Sequence, residues 1–309
     1  YNRTILSVEE SLEQLHAPNI KVHVLLHWPR CRKDISWMDC EGEEERLPVK
    51  VKNAGPPPNL NENAYIESWR ALEDLYQAKD EIASIGVSNF NLDDFKNLMN
   101  TGHITPHLLQ ANVWTLLFDP YLVTYLHQHE IHFQAYNVMN GILSQTSRAP
   151  NAYQSLMSVA ANVSQNGDEM VTPAQLIIAW LVHQSVSVIP RTSSVEHLQE
   201  NTESVQAVPS LSSQQQDTIK TAVMALLRGV DLNPPRVTFH NTANQVAHVY
   251  WVSGNEEVPV KQHLQPNESF QSQTYPGHVF AAYDEARNSR TEYEISVSYG
   301  AEQEFHIEL

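Results

Sequence analysis

The ten residues Ile20–Pro29, reading IKVHVLLHWP, constrain the fold of this chain more than any other stretch. The run is short, rich in β-branched and aliphatic residues, without polar alternation, and it stops at a proline. A strand of that texture is expected inside a parallel sheet, covered on both faces. Parallel neighbours need long crossovers, and the chain supplies them. Ser7-Val8-Glu9-Glu10 reads as a capping box, with Val8, Leu12 and Leu15 at helical spacing and a stop near Pro18. After Pro29 a long irregular segment is expected to about Asn63, containing Glu41–Glu45 and the run Gly55-Pro56-Pro57-Pro58. It is either a cover for a pocket or a solvated insertion.

Beyond that segment the alternation resumes. Tyr65, Ile66, Trp69, Leu72, Leu75 and Tyr76 form a helical stripe, and a strand is expected over Ala83–Val87. Asn91 caps a helix carrying Phe95 and Leu98, before a strand at His107–Asn112. A helix after Pro120 leads to a strand at Ile131–Tyr136. Helices are expected around Ala152–Ala161 and from Thr172-Pro173, with Thr172 as N-cap. Then come a strand at Val186–Pro190 and helices at Glu196–Asn201 and Ser212–Leu227. The pattern defines an α/β fold with a parallel sheet. Five such strands precede residue 230, whereas a (β/α)8 barrel needs eight.

The texture changes at Asp231-Leu232-Asn233-Pro234-Pro235. Beyond it the period becomes two, in Val237 and Phe239, in Tyr293, Ile295, Val297 and Tyr299, and in Phe305, Ile307 and Leu309, with a turn at Ser253-Gly254-Asn255. This predicts a small antiparallel β-sandwich. Two domains are expected, residues 1–230 and 236–309.

Net charge is −17, which argues against nucleic acid or an anionic membrane surface as partner. No apolar run reaches the roughly 20 residues needed to span a bilayer. The two cysteines, Cys31 and Cys40, are too few for a disulfide framework and fit a reducing, cytoplasmic setting, although their spacing permits a bond. No metal site is expected. The chain starts at Tyr1 rather than Met, so its gene is expected to begin further upstream.

His27, read alone, is either a core histidine satisfied by a neighbour or a hydrogen-bond donor at the C-terminal end of a strand, where barrels place their chemistry. A resemblance favours the second reading. LLHWP, Gly86-Val87-Ser88-Asn89-Phe90, Gln110, Ala135-Tyr136 and Ile189-Pro190-Arg191-Thr192 follow the order of the aldo-keto reductase family. The resemblance covers residues 1 to about 230 and implies the C-terminal five-eighths of a (β/α)8 barrel that reduces a small-molecule carbonyl with NADPH. It implies that His27 orients the carbonyl, and that Ser88, Asn89 and Gln110 hold the nicotinamide carboxamide. Tyr136 would stack on the nicotinamide ring, beside Asn137 where the family usually has Ser. Arg191, Thr192 and Ser193 would bind the 2′-phosphate, and Glu200 and Asn201 the adenine. A cation and hydroxyls at a helix start suit a phosphate independently of the family. His197 replaces a frequent Arg, which is expected to weaken the NADPH preference. The family's catalytic Asp, Tyr and Lys lie on earlier strands, so they are expected outside this chain. They would come from an upstream segment or a second chain; alternatively the sheet is closed by the C-terminal domain or by self-association. The rival reading is a non-catalytic, repurposed barrel fragment whose sandwich serves binding or assembly.

Residues 236–309 resemble the β-domain of the von Hippel–Lindau tumour suppressor, on VTFHN (Val237–Asn241), HVYWV (His248–Val252) and TYPGHVFAAYD (Thr274–Asp284). The resemblance implies peptide binding through Thr274, His278 and Phe280, with Phe280 where that family has Trp and Lys261 where it has Tyr.

Overall fold

A computed structural model describes residues 1–15, 19–56, 63–164, 170–253, 256–296 and 299–309. The expected stop at Pro18, Pro57 and Pro58 of the proline run, the turn residues Gly254 and Asn255, and Val297 lie outside the described residues. The first half contains α1 (Asn2–Leu15), β1 (Val22–Leu26), α2 (Cys40–Arg46), α3 (Val49–Asn53), α4 (Ala64–Ala78), β2 (Ile82–Ser88), α5 (Leu92–Thr101), β3 (Leu108–Asn112), α6 (Val113–Phe118), α7 (Pro120–Gln128) and β4 (His132–Tyr136). There follow α8 (Val138–Leu143), α9 (Pro150–Ser164), α10 (Pro173–His183), β5 (Ser187–Val188), α11 (Val195–Ala207) and α12 (Ser213–Arg228). The last part is all β: β6 (Arg236–Asn241), β7 (Ala247–Ser253), β8 (Glu256–Leu264), β9 (Ser269–Gln273), β10 (Val279–Asp284), β11 (Arg290–Glu294) and β12 (Glu302–Ile307).

The chain divides into two compact units along lines other than the proline linker. One comprises Tyr1–Val138 and Leu181–His197, the other Met139–Trp180 and Leu198–Leu309. The first is built on a parallel sheet of order β1-β2-β3-β4-β5. Strand β2 is buried along nearly its whole length because it is paired on both sides, with β1 and with β3. Gly86 is required there: a Cβ at that position would lie 2.6 Å from the Leu108 carbonyl oxygen and 2.8 Å from Leu25 Cδ2. Tyr65, Trp69, Leu72 and Leu75 are the buried stripe of α4. Asn91 caps α5 reciprocally with Asp94, as the sequence predicts.

Three expectations for this unit are corrected. Strand β1 is only half-buried, and Ile20 before it is 62% exposed. The reason is its place at an edge, paired with β2 alone. The first helix begins at Asn2, so Ser7 lies inside it and caps nothing; its carbonyl accepts the Ser11 hydroxyl at 2.8 Å. The segment after Pro29 is not irregular throughout, since α2 and α3 lie in it, and Cys31 and Cys40 are joined by a disulfide. Asp39 caps α2, its side chain accepting from Gly42 N.

In the second unit, Thr172 and Gln175 cap the start of α10 reciprocally at 3.0 and 3.2 Å, and Ser212 and Gln215 do the same for α12. Helix α12 ends at Gly229, whose left-handed φ of +63° favours glycine. Its buried stripe of Ile219, Ala222, Val223 and Leu226 belongs to the face that meets α9. The β region forms a four-stranded sheet, β11-β10-β7-β8, and a three-stranded sheet, β12-β6-β9. One ladder departs from the expected antiparallel pattern: β12 pairs with β6 in parallel. Phe239 is the centre of the core, with ring centroids 5.2–5.8 Å from those of Phe270, Phe280, Phe305 and Tyr293. Asn241 is buried and satisfied, donating to the carbonyls of Gln245 and Leu264 and accepting from Ala243 N. Among the described residues no helix is long and apolar enough to cross a membrane.

Candidate functional site

In the first unit, the C-terminal ends of four neighbouring strands meet at one residue, Asn89. It follows β2 directly and has a left-handed φ of +61°, a conformation asparagine tolerates better than most residues. Its Nδ2 donates to the His27 carbonyl at 3.0 Å and to Ser88 Oγ at 3.1 Å. Its Oδ1 accepts the Tyr136 hydroxyl at 2.8 Å. Ser88 is buried and donates to the Gln110 carbonyl at 2.9 Å, while Asn89 N donates to the same oxygen at 3.1 Å. The strand register puts Ser88 opposite Gln110 and Gln110 opposite Gln134. His27, Ser88, Asn89, Gln110 and Tyr136, singled out from sequence on four separate segments, are therefore brought together.

Each contributes a different chemistry. Tyr136 is half-buried and offers a ring; burial pushes its hydroxyl above the ordinary tyrosine pKa, so it stays a neutral donor to Asn89. His27 is exposed and lines a cavity of about 850 Å³ with Tyr1, Arg3, Leu12, Val24 and Leu72. Its ring centroid lies 6.2 Å from that of Trp28. Asn137 is exposed with φ +57°.

The segment after β5 forms its own small group. Thr192 Oγ1 accepts from Ser194 N at 3.0 Å, and Ser194 Oγ accepts from His197 N at 3.3 Å, which caps α11. Arg191, Ser193 and His197 are exposed beside that helix start. A cation, hydroxyls and a helix N-terminus, the groups that anion sites draw on, lie together there. Glu200 and Asn201 lie further along α11, in the second unit.

Sequence reasoning missed Ser194, Gln134 and Trp251. Ser194 was legible as a helix N-cap. Gln134 had no local signal, since its role comes from cross-strand register. In the second unit Thr274 Oγ1 lies 3.2 Å from His278 Nδ1, and His278 shares a cavity of about 440 Å³ with Asn151, Gln154, Tyr275 and Tyr299. Burial lowers the His278 pKa. Phe280 does not join them. It is 3% exposed and packs on Phe239, because its strand position faces the sandwich core. Trp251, 4.9 Å from His278 between ring centroids, is the aromatic neighbour instead. Lys261 pairs with Glu268 at 3.8 Å.

A parallel α/β sheet that gathers polar side chains and an aromatic ring at its strand C-termini has them where β/α barrels place their active sites. Residues 1–223 match the Aldo/keto reductase family, and the chain belongs to that family. It is 26% identical over 202 residues to an uncharacterised oxidoreductase of Bacillus subtilis, covering 65% of this chain and 56% of that protein. To the D/L-glyceraldehyde reductase of Hypocrea jecorina it is 25% identical over 203 residues, with the same coverages. The crystal structure of an aldo-keto reductase of the silkworm, Bombyx mori, superposes with a TM-score of 0.52 at 22% identity, covering 75% of this chain and 61% of that one. The chain thus spans little more than half the length of these curated relatives.

Proposed function

We propose that the first unit is the nicotinamide-binding part of an NADPH-dependent reductase acting on a small-molecule carbonyl. The observation that carries the reading is the Asn89-centred network joining His27, Ser88, Gln110 and Tyr136. The residues fit a nicotinamide. Tyr136 gives a half-buried ring, while Asn89 has both amide hydrogens engaged and Gln110 Oε1 has no partner among the described residues. The start of α11, with Arg191, Thr192 and Ser193, suits a phosphate. With His197 in place of Arg, discrimination between NADPH and NADH would be modest. Two relatives support the chemistry: one is named for glyceraldehyde reduction, and the silkworm enzyme has also been crystallised with NADPH.

When bound, NADPH would supply the hydride. His27 would hold the carbonyl oxygen, and Tyr136 and Gln110 would fix the ring and its carboxamide. The family's catalytic Asp, Tyr and Lys would come from outside these 309 residues, on an upstream segment or a second chain, making this a partial (β/α)8 barrel. The open, apolar edge of β1 supports such an addition, since unpaired edges recruit strands. Fluorescence titration of the 309-residue protein with NADPH, with NADH alongside, tests the reading; saturable binding is expected, and no binding refutes it. The cytoplasmic expectation and the Cys31–Cys40 bond pull in opposite directions, because such bonds persist in oxidising compartments. Thiol labelling of freshly isolated protein decides between them.

A second reading, a repurposed fragment acting through its β-domain, is favoured by one observation: Thr274, His278 and Trp251 converge beside an open cavity. Under it, the von Hippel–Lindau-like domain captures a peptide there. His278→Ala leaving partner capture unchanged would dispose of it.

A further inference from the structure

Three Asn-x-Ser/Thr sequences occur in the chain, at Asn2-Arg3-Thr4, Asn162-Val163-Ser164 and Asn267-Glu268-Ser269. In a sequence this rich in Asn, Ser and Thr such matches carry no weight by themselves. The fold separates them. Asn2 lines the cavity of about 850 Å³, and the Thr4 hydroxyl donates to Ser68 Oγ at 3.0 Å. Asn162 lines a cavity of about 490 Å³, and Ser164 Oγ donates to the Ala160 carbonyl at 2.8 Å and accepts from Val171 N at 2.7 Å. Asn267 lines neither cavity. It sits in the turn that leads from β8 of one sheet to β9 of the other. Glu268 N donates to the Gln265 carbonyl at 3.0 Å across Pro266 and Asn267, and Asn267 has a φ of +64°. Those are the marks of a type II turn. We propose that Asn267 is a glycosylation site and carries an N-linked glycan.

The turn leaves the two reactive side chains clear. Asn267 and Ser269 are both exposed, and among the described residues neither the Asn267 carboxamide nor the Ser269 hydroxyl has a partner. Glu268 between them folds back, accepting from Gln265 N at 2.9 Å and pairing with Lys261 at 3.8 Å. Phe270 stacks on Phe239 in the core, so alternation along β9 turns Ser269 to the outer face. A tolerance of positive φ explains an asparagine in this turn, but it does not explain an exposed hydroxyl two residues on. A second observation, in the other unit, points to the same compartment. The Cys31–Cys40 disulfide belongs to an oxidising lumen, where such glycans are attached to surface turns. In the transfer, Asn267 Nδ2 bonds to C1 of the first sugar of a polyprenyl-diphosphate-linked oligosaccharide. The C1–O bond breaks, the polyprenyl diphosphate leaves with its electron pair, and one amide proton passes to a base of the transferase. Nothing is oxidised or reduced.

The test starts from the protein isolated from the cells that make it. Peptide-N-glycosidase digestion in water labelled with heavy oxygen converts each glycosylated asparagine to a heavy-oxygen aspartate, which peptide mass spectrometry locates against a digest without enzyme. Label at Asn267 is expected, with a fall in intact mass equal to a whole number of hexose and N-acetylhexosamine units. Absence of label at Asn267 overturns the proposal, even where Asn2 or Asn162 is labelled instead. Replacing Asn267 itself would strain the turn at its positive φ, so the variants are made at Ser269. Ser269→Ala, expressed in the same cells, removes the hydroxyl that the transferase requires and should lose the label at position 267 completely. Ser269→Thr restores a hydroxyl and should keep it. Retention of the label in the alanine variant, or its loss in the threonine variant, overturns the assignment.

Discussion

Asn89 is where the site and the fold depend on the same atoms, and replacing it separates two costs. Asn89→Ala removes three hydrogen bonds, to His27 O, Ser88 Oγ and Tyr136 OH, at 3.0, 3.1 and 2.8 Å. At a net worth of about 1 kcal/mol each, reduced by the half-exposed setting, they sum to about 2 kcal/mol. Alanine must also hold φ +61° without the short polar side chain that lets asparagine tolerate that region, which costs about 1 kcal/mol more. The expected loss is about 3 kcal/mol. Asn89→Gly loses the same bonds without the backbone strain, so it should be less destabilising than the alanine variant by about 1 kcal/mol. A chain with two compact units need not unfold in one step. The measurement is therefore hydrogen exchange at the amides of Ile85 and Leu109, on the strands beside Asn89, across a urea series. Equal losses in the two variants would refute the backbone argument. Losses below about 0.5 kcal/mol in both would refute the network as a structural element.

Four further outcomes follow from the structure. Phe239→Ala, at the centre of the sandwich core, should destabilise the second unit by about 3–5 kcal/mol, read from the urea midpoint of β-sheet circular dichroism; a loss below about 1 kcal/mol would contradict that placement. Gly86→Ala should cost about 1–3 kcal/mol, because its Cβ would meet the Leu108 carbonyl, and should raise exchange in β2 and β3. Since burial lowers the His278 pKa below the ordinary 6.5, the unfolded chain binds that proton first as pH falls. Stability of the second unit is then fully present above pH 6.5 and declines below it, down to the folded-state pKa; His278→Gln should flatten the decline, and an NMR titration midpoint at or above 6.5 would refute it. Reducing Cys31–Cys40, which closes a nine-residue separation, should loosen the segment by roughly 2–3 kcal/mol and speed tryptic cleavage at Arg32 and Lys33; an unchanged rate would show that the bond restrains nothing.

The legible parts of this chain are those whose cause is local. Asn91 and Thr172 sit where short polar side chains cap helices, and both cap one. The buried stripe of α4 follows from periodicity alone. Candidate residues on four segments converge because parallel strands bring their C-terminal ends to one side. What eluded reading is set by tertiary partners. Ser7 matches a capping box, yet α1 starts at Asn2 and Ser7 lies inside it. Phe280 matches a binding position by motif order, but alternation along β10 turns it into the core, and Trp251 on the neighbouring strand meets His278 instead.

Strand β1 states the matter most sharply. Its sequence, VHVLL, is that of a strand covered on both sides, and in the structure it is a half-exposed edge lining the cavity of about 850 Å³. Helix α1 beside it buries none of its residues fully. Sequence and structure here disagree about burial while agreeing about the strand. A sequence specifies the environment in which its strand is stable, and an apolar edge left open costs about 25 cal/mol for each Å² of apolar surface exposed. The β1 edge therefore favours any state in which a further apolar strand lies against it. If the barrel reading is right, that strand belongs to the segment carrying the Asp, Tyr and Lys, and covering the edge and completing the catalytic group become one event. Hydrogen exchange at the His23 and Leu25 amides, which alternate away from β2, with and without the completing segment, would show the two occurring together or apart.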